Sequence, residues 1–196
     1  MRFLTCFFVA LFTFFISVVA HGYEIGGITC PDKFLINGKS LILNGAGVRS
    51  RYVLPLYTSA LYLKARSDDG NQIIAANDAM VIRLRIISPI VATDVVTAAI
   101  AKAFNGSMNG KTGPLKLEIK KITDLFKSDL KYGDEIDLIY HPHVGTKIIK
   151  NGRKLLVIKS LAFKKALFGI WLSDNPVQKT LYKEMLGGGL ENRLFN

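Results

Sequence analysis

Two Asn-Gly pairs, Asn37-Gly38 and Asn151-Gly152, each stand between short runs of strand formers and commit the chain to antiparallel hairpins. Both residues of such a pair tolerate the left-handed angles that a two-residue turn demands. Around the first pair, Leu35 to Leu43 reads as strand, turn, strand. Around the second the pattern is longer. Lys131 to Asp134 turns into a strand over Glu135 to Tyr140, His141 to Gly145 reverses it, Thr146 to Lys150 returns, and Asn151-Gly152 leads into Lys154 to Lys159. That is an antiparallel meander.

The chain is organised around the stretch Leu43 to Leu63, LNGAGVRSRYVLPLYTSALYL. Asn44-Gly45 and Gly47 are read as a tight turn needing positive φ, and Tyr52, Val53, Leu54, Leu56, Tyr57, Leu61, Tyr62 and Leu63 as strand residues facing a core. Arg49 sits between the two. A guanidinium close to a core costs several kcal/mol or more without acceptors, so Arg49 is either paired internally or set to meet an anion.

The remaining segments mix strand with helix. Tyr23 to Phe34 holds a weak first strand, and Asp68 to Asn71 is read as a loop. Met80 to Ile87 is a strong strand whose Arg83 and Arg85 share a face by its period of two. Val96, Ala99, Ile100 and Ala103 recur at helical spacing after a cap at Thr93 or Asp94, and Leu115 to Leu130 is mostly helix. Leu161 to Trp171 and Val177 to Leu186 are helices, the latter capped by Asn175 with Pro176 in its first turn. Without repeats or low-complexity linkers, the pattern gives one α+β domain over residues 23–190, with a tail at 191–196.

Residues 1–22 read as an export signal: Arg2, an uncharged apolar run from Phe3 to Ala20, and the small-x-small sequence Val18-Val19-Ala20 before the cleavage point. The alternative is a retained anchor. The expected location is periplasmic or secreted. Cys6 falls inside the signal, so Cys30 has no disulfide partner and is read as an inert thiol. The net charge of +11 is spread over lysines and arginines such as Lys147, Lys150, Arg153, Lys154, Lys159, Lys164 and Lys165, read as a solvated basic surface with attraction for anionic membrane. No nucleic-acid motif accompanies it. His141-Pro142-His143 lacks a third ligand and is read as a polar hairpin tip, with no metal site and no cofactor. Gly45-Ala46-Gly47 lacks the third glycine and the βαβ setting of a dinucleotide loop. Trp171 is read as a core anchor or a wall of a cleft.

Three motifs in order, LNGAGVRSR, GDEIDLIY with its following hairpin, and ALFGIWLSDNPVQ, resemble the chalcone isomerase-like family, in particular its exported bacterial branch, over about Ile28 to Gly187. The resemblance implies an open-faced β-sandwich, a large antiparallel sheet with helices on one face and a ligand cleft between. Family members either cyclise chalcones or bind fatty acids, and in both the arginine of the GVR motif contacts the ligand's anionic oxygen. That position is Arg49. The resemblance places Tyr57, with Thr58 beside it, where the enzymes carry a threonine. It places Val91, Ala98 and Gly169 where they carry a tyrosine, an asparagine and a hydroxyl residue.

Cyclisation needs groups that orient a phenolate and stabilise the developing enolate, and an arginine alone does not supply them. The expected function is therefore binding of a fatty acid or similar amphiphilic anion by a monomer, with Arg49 on the carboxylate and Tyr52, Tyr57 and Thr58 as further ligand-binding candidates. Two alternatives stay open at this point: an isomerase (intramolecular lyase) acting on another substrate, and a structural or interaction protein of the cell envelope.

Overall fold

The computed structural model of the 196-residue chain describes residues 22–89, 93–127 and 130–188. Residues 1–21, within the segment read as an export signal, Val91 and the tail 191–196 lie outside them. A small hairpin, β1 (Gly22–Ile25) and β2 (Ile28–Pro31), precedes the main sheet. The sheet consists of β3 (Lys33–Ile36), β4 (Lys39–Arg51), β5 (Leu54–Leu63), β6 (Met80–Ile86), β7 (Glu135–His141), β8 (Gly145–Lys150) and β9 (Arg153–Ile158). Every strand pairs antiparallel with its neighbour, and the spatial order is the chain order. Both Asn-Gly pairs make the two-residue turns read from the sequence, with φ of 47° and 76° at residues 37 and 38 and 50° and 77° at 151 and 152.

The helices are α1 (Gly70–Ala75), α2 (Thr93–Ser107), α3 (Lys116–Leu125) behind a short 3-10 turn, α4 (Leu161–Leu172) and α5 (Lys179–Lys183), which continues into a π-type turn over Glu184–Gly188. They cover one sheet face. Leu61, Ile82, Leu138 and Ile148 from the strands meet Phe104, Phe163, Phe168 and Leu181 from the helices. The opposite face is covered in part by the β1–β2 hairpin, where Cys30 packs with Leu43, Ala60, Tyr62 and Val81. Alternation along β5 makes the division: Leu61 and Leu63 belong to the first cluster, Ala60 and Tyr62 to the second. Helix α4 is buried at Phe163, Lys164 and from Ala166 to Leu172 because helices α1 and α2 and the sheet pack around it, while Leu161, Ala162 and Lys165 stay exposed. Among the described residues no helix is long and apolar enough to cross a membrane.

Several expectations change. Asp68 to Asn71 is not plain loop, because the Asp69 carboxylate accepts from the backbone N–H of Gln72 at 2.9 Å and starts α1 there. Asn44-Gly45 and Gly47 form no turn; β4 runs straight through them to Arg51. Asn44 is the extra residue of a β-bulge, and its buried amide donates to the carbonyls of Ser67 and Met185 at 2.9 Å each while accepting from the N–H of Ser67 at 2.8 Å. The glycines answer a close approach instead. A Cβ on Gly45 would stand 2.2 Å from the carbonyl oxygen of Glu184, and one on Gly47 would stand 1.9 Å from the Glu184 carboxylate. The reversal comes later, at Tyr52-Val53, so Tyr52, Val53 and Leu54 face solvent rather than the core.

The last helix also departs. It starts at Lys179 after Gln178, not at Val177, since Val177 donates its N–H to the carbonyl of Ile170 and Asn175 reaches the carbonyl of Gly106 rather than capping. Lys164 leaves the basic surface altogether. It is 0% exposed, and its Nζ donates to the carbonyls of Ile73, Ile74 and Ala76 at 3.0, 2.8 and 2.7 Å, closing the end of α1.

Candidate functional site

Register decides which residues can share a site. Arg49 pairs with Tyr57, and Tyr57 pairs with Ile86, so the three lie in one row across the helix-facing side of the sheet. Gly47, Ser59 and Leu84 form the next row on the same face. Leu84, Val96 and Ile100 pack against the helix-side core yet remain only partly buried. The face therefore runs from one cation into apolar side chains.

The half-buried Arg49 is held by neutral acceptors. Its Nη1 donates to the side-chain oxygen of Gln178 at 2.9 Å and also to the carbonyl of Ser50. The same Gln178 oxygen accepts from the N–H of Ser50 at 3.0 Å, while its amide reaches the Val48 carbonyl and the Thr180 hydroxyl. Among the described residues no carboxylate lies within 4.0 Å of Arg49. Arg83 and Arg85 differ in this respect. Arg83 makes a bidentate pair with Asp137 at 2.7 and 2.9 Å, and Arg83 and Arg85 each reach Glu135 at 3.2 Å.

Beside Arg49, the hydroxyl of Tyr57 accepts a hydrogen bond from the indole Nε1–H of Trp171 at 3.2 Å. Burial pushes the Tyr57 phenol above its ordinary pKa, while the Trp171 bond and the Arg49 charge pull the other way. Deeper along β4, Glu184 turns its carboxylate onto the strand. Burial raises its pKa against one hydrogen bond from the Val48 backbone, and its Oε2 is buried without a partner. The hydroxyl of Ser59 donates to the Met185 sulfur at 3.4 Å.

The structure divides the four residues proposed from sequence. Arg49 and Tyr57 stand together. Thr58, one residue on, points through the sheet to the other face and lines a cavity of about 230 Å³ beneath the β1–β2 hairpin with Cys30, Arg83, Arg85 and Glu135. Tyr52 lies on the exposed turn between β4 and β5, 91% exposed. Thr58 and Tyr52 thus cannot act with Arg49 on one small group, because period two and the turn position separate them. Gly169 is also elsewhere. It borders a cleft of about 470 Å³ between α1, α2 and α4, close to Ser107, and the α4 residue that reaches β5 is Trp171.

Gln178 and Glu184 were not read as site residues. The sequence signal for them is faint: a polar residue two positions after Pro176 and an acid three positions before the Gly187-Gly188-Gly189 run. Among the described residues no three side chains capable of holding a metal come together.

The sequence model of the family described as chalcone isomerase-like matches residues 22–187. The chain belongs to the chalcone isomerase-like family. Among solved structures, it is similar to a fatty-acid-binding protein of Arabidopsis thaliana, with a TM-score of 0.62 at 18% sequence identity, over 82% of this chain and 92% of that one. At that identity the likeness is one of fold. No curated protein matches the chain. The seven-stranded antiparallel sheet with its helical layer is the fold of this chalcone isomerase-like chain, and Arg49 stands in Gly47-Val48-Arg49, a segment on which the sequence resemblance rests.

Proposed function

We propose that this protein binds a fatty acid or a similar amphiphilic anion on the helix-facing side of β4 and β5, with its carboxylate on Arg49 and its chain along Tyr57, Ile86 and Leu84. The observation that carries this reading is the pairing of Arg49. A half-buried guanidinium held by an amide and a carbonyl, with no described acid within ion-pair reach, keeps its charge unspent at the head of an apolar surface. A carboxylate on that guanidinium gains charge-assisted hydrogen bonds, and each methylene withdrawn from water adds about 0.8 kcal/mol. The fatty-acid binding named for the Arabidopsis protein of the same fold supports the reading.

The protein acts in this reading as a carrier or sensor of the cell envelope rather than a flavonoid isomerase. The signal-like residues 1–22 support export, and the apolar or small residues Ala98 and Gly169 give no group to orient a phenolate. The test is mass spectrometry of small molecules released on denaturation from protein purified without detergent. A fatty acid present in the wild type and reduced at least about tenfold in Arg49→Gln is expected. Empty wild-type protein, or equal occupancy in both, would overturn the reading.

A further inference from the structure

Four two-residue turns join adjacent strands among the described residues. Three use residues suited to left-handed backbone: Gly26-Gly27, Asn37-Gly38 and Asn151-Gly152, each with positive φ at both positions. The fourth, between β4 and β5, is Tyr52-Val53. Tyr52 takes φ +56°, a conformation that bulky side chains rarely adopt. No packing within the chain accounts for the choice. Tyr52 and Val53 are 91% and 90% exposed, Leu54 is 60% exposed, and the Tyr52 ring is approached by the Arg51 guanidinium at 5.9 Å.

We propose that the Tyr52–Leu54 tip is a membrane-docking element that inserts into the interfacial layer of an anionic bilayer. The chemistry of the tip matches that layer. Tyrosine favours the boundary between headgroup and hydrocarbon, Val53 and Leu54 supply the apolar point, and Arg51 at its base pairs with lipid phosphates. Lys179 adds a cation one residue from Gln178, whose side chain holds the Ser50 backbone, and the chain as a whole carries +11. The acid that faces this end of β4, Glu184, has one carboxylate oxygen buried against the strand.

A bilayer fits the tip better than a protein partner does. A stable protein interface buries about 800 Å² on each side and needs a matching shape. A three-residue point offers far less, while a fluid interface demands no shape. Arg49 lies near the end of β4, three residues before Tyr52, so docking sets the proposed ligand site at the membrane surface, where an amphiphilic anion enters or leaves. That purpose rests on the lipid-binding reading above; the contact itself does not.

The test uses the full chain, so the readout must be local to the tip. Val53→Trp is mixed with vesicles of phosphatidylcholine and phosphatidylglycerol, and its emission is compared with wild type, whose Trp171 is 5% exposed. A blue shift, quenching by lipids brominated on the acyl chain, and loss of both in high salt or on pure phosphatidylcholine are expected. Tyr132→Trp, at an exposed turn elsewhere, stays in water. Val53→Ser with Leu54→Ser weakens salt-sensitive vesicle binding at least about tenfold. No emission change at position 53 on anionic vesicles, or an equal change on neutral ones, overturns the proposal. Tip insertion by a protein that carries no fatty acid would sink the ligand reading and leave the docking element standing.

Discussion

Trp171 donates its indole N–H to the hydroxyl of Tyr57, which is the strand partner of Arg49. The chain's single tryptophan is therefore hydrogen-bonded to the candidate site itself. Its fluorescence reports on that site without an added label.

Tyr57→Phe removes the acceptor and leaves the indole N–H unpaired beside α4. The expected cost is about 1 kcal/mol of folding stability, with a changed Trp171 emission spectrum in the native state. Urea titration followed by fluorescence measures both. An unchanged native spectrum would mean that the indole finds another acceptor and does not report on the site.

Gly45→Ala puts a methyl group 2.2 Å from the Glu184 carbonyl and 2.6 Å from that of Met185, and both obstacles are backbone. Overpacking of this kind costs about 1–3 kcal/mol. The same change at Gly113, which has nothing within 4 Å and no positive φ, should be nearly neutral. Thermal midpoints of the two variants give the comparison, and equal values would remove the close-approach argument.

Lys164 gives a pH signature. Its burial beside Tyr140 and Phe168, with the charge of Lys165 adding, pushes its pKa down to about 8 from 10.5. The unfolded chain then holds this proton more firmly between about pH 8 and about pH 10.5, so this group makes the protein more stable as pH rises through that window and has no effect on the slope below it. Lys164→Met strands three carbonyls, costs about 2–4 kcal/mol and lacks this slope. Denaturant midpoints of both proteins against pH should diverge across the window, by up to about 3 kcal/mol. Parallel curves would refute the assignment.

Cys30 has its thiol pushed up to about 11 by burial, partly opposed by the Arg83 charge. At pH 8 about one thiol in a thousand is ionised, and the β1–β2 hairpin shields it. Alkylation mapped by peptide mass spectrometry should leave Cys30 unmodified until denaturant is added. Labelling in the native state would show that the hairpin lifts from the sheet.

The meander was legible because its turns are written in local chemistry: Asn37-Gly38 and Asn151-Gly152 take the positive φ angles their residue types favour. Helix α4 was equally plain, since the apolar stripe of Leu161 to Trp171 carries its period; the structure adds the Ser160 side chain that caps it. What local chemistry could not convey is contact between distant segments. Gly45 and Gly47 look like turn residues until Glu184 and Met185 are laid against them, and Lys164 looks like a surface lysine until α1 ends over it. Tyr52 reads as a strand residue because nothing in its identity signals a turn. The site shows the same limit. Arg49 was marked by its motif, and Tyr57 by counting along a strand, yet Thr58 needed the alternation of β5 to assign it to the far face, and Gln178 became visible only as the partner of Arg49 and Ser50.

The seam between β4 and the segment after α5 also fixes an order of events. Asn44 is bonded to Met185, 141 residues later, and Gly45 and Gly47 are covered by Glu184 and Met185. In a chain delivered from its N-terminus, β4 appears long before that segment, and its helix side at Gly45 and Gly47 stays uncovered until Glu184 and Met185 arrive. Arg49 likewise lacks Gln178 until then. The candidate site is therefore among the last parts of the molecule to be completed, and a chain cut short before Gln178 has its sheet strands but lacks both the seam and the amide that holds Arg49.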